Sequence, residues 1–236
     1  WNNKIVEKVI IENKELSGHD VSINQFLDGN KVLITNIREK YVGLFDLEKN
    51  KYKWKTFVDN PHHWSKANDE YVYVNTRVFN DLPKAADTKF KKSSNLADCI
   101  HENVMFDQIT ILDIKSGAKI KIMDLFEIIS KNDNLKNTFR LCNDPFHNNH
   151  IEPINEKIKI NFRNASKNDF LISARNLNLV AHVSFENEKI EWFIQDIFDF
   201  QHSPVLDDNF LYVFDNLGGT VDYGRARILK IDVNTK

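Results

Sequence analysis

Four sections of this chain each open at a histidine and continue as short runs of β-branched and aromatic residues, separated by turns that contain Asn, Asp or Gly. Apart from one insertion, the sections repeat about every 40–55 residues, which is the spacing of propeller blades. These observations predict an all-β fold, a β-propeller of four-stranded antiparallel blades. A β-sandwich has strands of similar length, but it gives no reason for the likeness between sections. The histidines are His19, His63, His147 and His202.

Each section is predicted to contain a first strand next to its histidine, two alternating strands and an edge strand. Runs rich in Val, Ile, Leu, Tyr and Phe indicate strands, and Asn, Asp and Gly indicate the turns between them because they tolerate left-handed backbone. The alternating strands are predicted at residues 31–35 and 41–46, 71–75 and 108–113, 169–173 and 179–183, and 210–214 and 226–232. The edge strands of the first three sections are predicted at residues 52–54, 119–122 and 190–192.

Two insertions interrupt the repeat. Residues 76–100 are polar and rich in lysine, which predicts a long loop. The second insertion, residues 124–137, is predicted to hold one short helix from Asp124 to about Leu135. Asp124 is a suitable N-cap for this helix. The helix is predicted to have one apolar face, formed by Leu125, Ile128 and Ile129.

The number of blades depends on how the ring closes. The fourth section stops without an edge strand. Either residues 5–11 supply the closing strand, or the chain is a fragment of a larger ring, which is the arrangement we favour. In both arrangements residues 1–236 form a single propeller domain.

The composition limits the classes of function. Of 236 residues, 42% are hydrophobic and 28% are charged, as in ordinary globular proteins. The formal net charge of -2 gives no electrostatic basis for binding nucleic acid. No apolar run approaches the roughly 20 residues of a membrane-spanning helix, and no targeting segment is visible. Cys99 and Cys142 form one disulfide or none.

Three short motifs in the second half of the chain carry groups suited to anion chemistry. Residues 147–151 read HNNHI, residues 173–176 read SARN and residues 201–203 read QHS. In this order they resemble the bacterial arylsulfate sulfotransferase family, whose motifs are H-x-N-[S/D]-[I/V], S-x-R-[N/H] and Q-H-D. The resemblance runs from about Ser22 to the C-terminus and is most specific in the second half. It implies a six-bladed propeller, of which about four blades are visible here.

The resemblance also implies an activity. Family members move a sulfuryl group from a phenolic sulfate ester to a phenolic acceptor without a nucleotide sulfate donor, in a ping-pong reaction. By this resemblance His202 is the nucleophile that becomes transiently sulfated, and Arg175 holds the sulfuryl oxygens. His147 and His63 act on those oxygens or on the ester oxygen. The implied partners are small-molecule phenols, and the implied location is periplasmic or secreted.

Further residues near these motifs are implied to contact substrate. For the upstream histidine, His63 is favoured over His62 because Val74 follows it by eleven residues, as Val213 follows His202. Trp64 either lines an aromatic acceptor pocket or packs in the core. The residues implied to bind substrate are Asn149, Trp64, His62 and His150.

The chemistry of these residue types agrees with such a reaction. A neutral imidazole is a good nucleophile near pH 7, and a covalent intermediate divides one difficult transfer into two easier ones. Catalysis of sulfuryl transfer, like that of phosphoryl transfer, depends on positioning and on stabilising charge on the equatorial oxygens. A planar guanidinium contacts two of these oxygens at once. No metal or other cofactor is implied, because Arg175 would repel a cation among the histidines.

Two residues depart from the family motifs. Ser203 stands where the Q-H-D motif has a carboxylate, and His150 stands where H-x-N-[S/D] has a serine or an aspartate. A hydroxyl orients a neighbouring imidazole more weakly than a carboxylate does. These departures support an alternative function, a catalytically inactive propeller that holds an anion or a protein partner at its axial pocket.

Overall fold

The fold is given by a computed structural model that describes residues 20–80, 104–135, 143–154, 165–207, 209–216 and 226–234. These residues form four antiparallel sheets, three with four strands and one with three. Within each sheet, strands that are consecutive in sequence are neighbours. The sheets are the blades of a β-propeller, which confirms the fold that the repeat predicts.

The first two blades contain eight strands. Blade 1 consists of β1 (Val21–Leu27), β2 (Lys31–Asn36), β3 (Tyr41–Asp46) and β4 (Lys51–Phe57). Blade 2 consists of β5 (Pro61–Ala67), β6 (Tyr71–Asn80), β7 (Val104–Asp113) and β8 (Lys119–Asp124).

A helix, α1 (Leu125–Ser130), separates these blades from the other two. A 3-10 turn (Arg175–Leu177) joins β10 to β11. Blade 3 consists of β9 (Asn148–Pro153), β10 (Phe170–Ala174), β11 (Leu179–Ser184) and β12 (Lys189–Gln195). Blade 4 consists of β13 (His202–Asp207), β14 (Phe210–Asp215) and β15 (Arg227–Asp232).

The middle strands of the blades are buried on both faces. Every residue of β3, β10 and β11 is buried, so the alternation of buried and exposed positions predicted for these strands is wrong, because neighbouring blades cover both of their faces. Each fully buried Val, Leu, Ile or Phe side chain stabilises the fold by about 1.5–3 kcal/mol. Packing between neighbouring blades therefore holds the sheets in their order around the axis.

The first strands of the blades pack against one another in sequence. β1 contacts β5, β5 contacts β9, and β9 contacts β13. They are therefore the innermost strands. Each carries a break in regular pairing within its first five residues, and such a bulge redirects the side chains beside it. The breaks lie between Ile23 and Gln25, Pro61 and Ser65, Asn148 and Ile151, and His202 and Val205.

The predicted long loop begins later than the sequence indicates. The prediction of a loop is wrong for residues 76–80, which continue β6 and stay paired with β7 as far as Asn80 and Val104. An ion pair of 3.2 Å between Arg77 and buried Asp107 reinforces this extension. The rest of that insertion, together with residues 5–11, His19, Cys99 and Cys142, lies outside the described residues.

The predicted helix is present but shorter. Asp124 is its N-cap, as predicted, and accepts hydrogen bonds from the backbone N–H groups of Phe126 and Glu127. The helix ends at Ser130 instead of near Leu135. The side chain of Asn132 accepts a hydrogen bond from the Asn134 backbone, a local turn that competes with helix. The apolar face of α1 is buried in the cluster that contains the Phe146 ring, and so supports the segment before β9.

Blade 3 contains a buried pair of side chains, His182 and Asp169. His182 Nε2 lies 2.9 Å from Asp169 Oδ2, and both side chains are almost fully buried. Burial alone would raise the pKa of Asp169, but hydrogen bonds from His182 and from the backbone N–H groups of Ser166 and Phe185 outweigh it, and the pKa lies below its usual value. Such a carboxylate stabilises the fold above its unfolded pKa of about 3.9. That contribution is lost as pH falls through the lower, folded value.

We expect Asp169→Asn to lower the free energy of unfolding by about 3 kcal/mol at neutral pH, because the carboxylate that binds His182 and two backbone donors is removed. Denaturant unfolding at pH 7 measures this loss. Glu186→Gln, at an exposed position, is the control and is expected to change the free energy by less than about 0.5 kcal/mol. Equal effects of the two substitutions would contradict the structural importance of the pair.

Candidate active site

His147 stands at the entrance to β9 and is oriented by Asp144. Its Nδ1 donates a hydrogen bond to Asp144 Oδ2, because a carboxylate can only accept. His147 has a φ of 49°, a left-handed conformation that is uncommon for any residue other than glycine. The pairing fixes one proton on Nδ1 and leaves Nε2 for other contacts.

The segment that carries His147 is bound to the segment that carries Arg175. The backbone N–H of Arg175 donates to the carbonyl oxygen of His147 at 3.1 Å. The backbone N–H of Asn176 donates to the Phe146 carbonyl at 3.0 Å, and its side chain donates to the Asp144 carbonyl at 2.6 Å. The 3-10 turn after β10 thus holds Arg175 next to His147.

Phe200 connects Arg175 with His202. The guanidinium carbon of Arg175 lies 4.2 Å from the centre of the Phe200 ring, within the range of a cation–π contact. The carbonyl oxygen of the same residue lies 3.0 Å from His202 Nδ1. Phe200 has a φ of 56°, a strained conformation for so bulky a residue. The backbone contact of Arg175 with His147 and its stacking on Phe200 therefore link the three residues that the sequence motifs single out.

The hydrogen bonds of His202 indicate which ring nitrogen carries the proton. Nδ1 lies 3.0 Å from the Phe200 carbonyl oxygen and 3.0 Å from the side-chain amide nitrogen of Asn216. The carbonyl can only accept, whereas the side-chain amide of Asn216 can flip so that its oxygen faces His202 Nδ1. A proton on Nδ1 satisfies both neighbours. The lone pair of the neutral ring then lies on Nε2.

The charge state of His202 suits a nucleophile. Burial lowers its pKa, and the electrostatic effects of Arg175, His147 and His150 lower it further, against the opposing effect of the Phe200 carbonyl. The imidazole is therefore neutral at pH 7.

Two buried amides link the third and fourth blades beside this site. Asn149 Nδ2 donates to the backbone carbonyl of Gln201 at 2.7 Å. Gln201 Nε2 donates in turn to Ser173, Ala174 and Leu179 at 3.0–3.3 Å. Among the described residues, Asn149 Oδ1 and Gln201 Oε1 have no hydrogen-bond partner. Asn149 is thus held rigidly, and its oxygen can accept from a ligand.

The first strand of blade 2 brings aromatic rings to the same place. The ring of His62 lies 5.7 Å from that of His147, edge to face. The ring of Trp64 lies 5.7 Å from that of His150. The side chain of His63 lies outside the described residues, so the preference for His63 as the upstream histidine stays a prediction.

Sequence reasoning missed Asp107, which supports the site from β7. Asp107 accepts hydrogen bonds from Arg77 Nε at 3.2 Å and from the backbone N–H of Asn148 at 2.8 Å. Complete burial raises its pKa to about 6, against the opposing effects of Arg77 and Asn148. Asp107 fixes the residue that directly follows His147. The available signal was a single carboxylate inside an apolar run, VMFDQITIL at residues 104–112.

Within the described ranges, no group of three or more His, Cys, Asp or Glu side chains could hold a metal ion. No helix formed by those residues is long and apolar enough to cross a membrane.

A comparison with protein families assigns a model to most of the chain. The model described as arylsulfotransferase (ASST) matches residues 65–236. This range covers 172 of 236 residues and includes His147, Arg175 and His202. No curated protein matches the chain.

Three solved structures are similar to most of this chain, which spans less than half the length of each of them. Hydrazine synthase from Kuenenia stuttgartiensis is 13% identical with a TM-score of 0.51, covering 91% of this chain and 46% of that one. BamB from Moraxella catarrhalis is 14% identical with a TM-score of 0.47, covering 91% and 46%. Dihydro-heme d1 dehydrogenase NirN is 8% identical with a TM-score of 0.49, covering 92% and 35%. At such identities the likeness concerns the fold alone.

Proposed function

The chain belongs to the arylsulfotransferase (ASST) family, and from this premise we propose that it transfers a sulfuryl group from a phenolic sulfate ester to a phenolic acceptor through a sulfated His202. The observation that carries the proposal is the series of contacts from His147 through Arg175 and Phe200 to His202. The proposed reaction needs neither a nucleotide sulfate donor nor a metal. A periplasmic or secreted location is proposed on the family resemblance.

In the first half of the reaction His202 Nε2 attacks the sulfur of the donor. The N–S bond forms as the S–O ester bond breaks, and the bonding pair leaves with the phenolate. The Phe200 carbonyl, which accepts from Nδ1, stabilises the positive charge that develops on the ring. The Arg175 guanidinium and His147 stabilise the sulfuryl oxygens, since a planar fork matches two oxygens at once.

In the second half the oxygen of the acceptor phenol attacks the same sulfur. The O–S bond forms, the N–S bond breaks, and its electron pair returns to Nε2 of His202. The neutral imidazole is thereby regenerated. The proton of the acceptor hydroxyl has to leave during this step. In the first half of the reaction, a donor phenolate that is a poor leaving group has to gain a proton as it departs.

The test is a transfer assay with a nitrophenyl sulfate as donor and a simple phenol as acceptor. Release of the nitrophenolate is followed by absorbance, and the new aryl sulfate is identified by mass spectrometry. We expect release that depends on the acceptor and parallel lines in double-reciprocal plots, the kinetic sign of a covalent intermediate. No release and no new aryl sulfate would overturn the proposal.

A second candidate is favoured by one residue, Ser203, which replaces a motif carboxylate. It is an inactive propeller that holds an anion beside Arg175. Saturable binding of the donor ester without any turnover, measured by calorimetry, would support this candidate against the first.

A further inference from the structure

His150 is a buried imidazole held by a carboxylate. Its side chain is 4% exposed, and its Nε2 lies 3.2 Å from Glu152 Oε2. Lys66 Nζ lies 3.8 Å from the same oxygen, so Glu152 contacts both His150 and Lys66. Because the carboxylate can only accept, the ring proton belongs on Nε2, and the lone pair of neutral His150 lies on Nδ1.

The second ring nitrogen of His150 lacks a hydrogen bond. Nδ1 is buried and has no partner among the described residues. Leaving a buried polar atom unpaired costs about 1–3 kcal/mol. The unpaired Nδ1 of His150, whose Nε2 is bound to Glu152, is explained by a bound ligand that donates a hydrogen bond to it.

The surroundings of His150 suit an aromatic ligand near His202. The Trp64 ring, 5.7 Å away, gives an aromatic wall against which another ring can pack. Asn149, the residue before His150, donates a hydrogen bond of 2.7 Å to the carbonyl of Gln201, the residue before His202, so the two imidazoles stand on segments that are in direct contact. His150 also replaces the Ser or Asp of the family motif, so this chain has an imidazole there that the motif does not supply.

Resting on the proposed function, we infer that His150 is the general base that takes the proton of the acceptor phenol, that Glu152 is its positioning residue, and that the acceptors are phenols which are un-ionised at neutral pH. The O–H proton moves to His150 Nδ1 as the phenol oxygen attacks the sulfur. The N–S bond breaks and its pair returns to His202. In the next donor step the proton passes from His150 to the departing phenolate.

The pKa of the acceptor phenol decides whether a general base is needed. A simple phenol has a pKa of about 10, so only about one molecule in a thousand is ionised at pH 7. General-base catalysis commonly contributes about 10²–10⁴-fold. A phenol with nitro substituents is already ionised at neutral pH and needs no base. The contribution of His150 is therefore expressed as a difference between two acceptors.

The experiment compares transfer to a simple phenol and to an ionised nitro-substituted phenol, with one donor ester, in wild type and in His150→Gln. The ratio of the rate for the ionised phenol to that for the simple phenol is expected to rise about 100-fold in His150→Gln. Glu152→Gln is expected to raise it about 10-fold. Glu186→Gln, an exposed glutamate, is the matched control and leaves the ratio unchanged.

The ratio separates a base from a structural residue, since a distorted site slows both acceptors alike. A ratio in His150→Gln within about threefold of wild type overturns the inference while the proposed function stands. If His150→Gln does not fold, as judged by its unfolding transition, the Glu152→Gln ratio decides in the same way. Wild type that transfers to neither acceptor overturns both the proposed function and this inference.

Discussion

His202→Asn is expected to reduce sulfuryl transfer by at least about 10⁴-fold, because removal of an attacking group usually costs this much or more. Asparagine is polar and short, and its amide can still donate to the Phe200 carbonyl. It has no imidazole lone pair with which to attack sulfur. The rate of phenolate release from a nitrophenyl sulfate measures the loss.

The matched control for this substitution is Asp207→Asn, at the exposed far end of the same strand, β13. It changes a side chain of the same blade without touching the site, and activity close to wild type is expected. Undiminished transfer in His202→Asn would remove the nucleophile from the mechanism. Equal loss in both variants would point to damage to blade 4 instead.

Arg175→Ala is expected to reduce the rate of transfer by about 10³-fold, as when a charged group that stabilises the transition state is removed. Arg175→Lys keeps the charge but not the planar fork, and an intermediate loss is expected. Steady-state rates with a nitrophenyl sulfate donor measure both losses. Rates for Arg175→Ala within a few-fold of wild type would contradict a role for the guanidinium on the sulfuryl oxygens.

The pH profile gives an independent readout of Arg175. Burial lowers the pKa of His202, and the charge of Arg175 adds to this effect. His202 is nucleophilic only when neutral, so activity is present above its pKa and is lost as pH falls through it. Arg175→Ala removes one lowering cause. We therefore expect the acid limb of the donor half-reaction to move to higher pH, toward about 6.5, and an unmoved limb would contradict the proximity of the two groups.

Much of the fold could be predicted from repetition. Runs such as KVLIT and FLISA recur at blade spacing and are buried throughout or nearly so in β2 and β10. Buried central strands have few ways to satisfy both faces, so sequence and structure agree there. The extension of β6 to Asn80 escaped prediction, because it depends on pairing with β7 and on the contact of Arg77 with Asp107, 30 residues later.

The candidate site could be predicted in its reactive groups but not in their supports. Histidine and arginine carry recognisable chemistry, and the motifs bring His147, Arg175 and His202 to notice. Phe200 and Asp144 hold these groups in place, since Phe200 stacks on Arg175 and Asp144 pairs with His147. The backbone is left-handed at residues 200 and 147. Such conformations arise from packing between blades and leave no periodic signal in the sequence.

Blade 2 carries two adjacent histidines, His62 and His63, at the start of its first strand. Counting residues to the following strand favours His63, whereas the ring that is described beside His147 belongs to His62. The pairing between Pro61 and Ser65 is irregular, and the preference for His63 stays a prediction because its side chain lies outside the described residues.

The most direct test of the central claim is the mass of the protein after rapid mixing with a phenolic sulfate ester in the absence of acceptor. Wild type is expected to gain one sulfuryl group, which peptide mapping assigns to His202, and adding a phenol is expected to remove it at a rate no slower than turnover. Turnover without any sulfated protein, or sulfation of a different residue, would contradict the account.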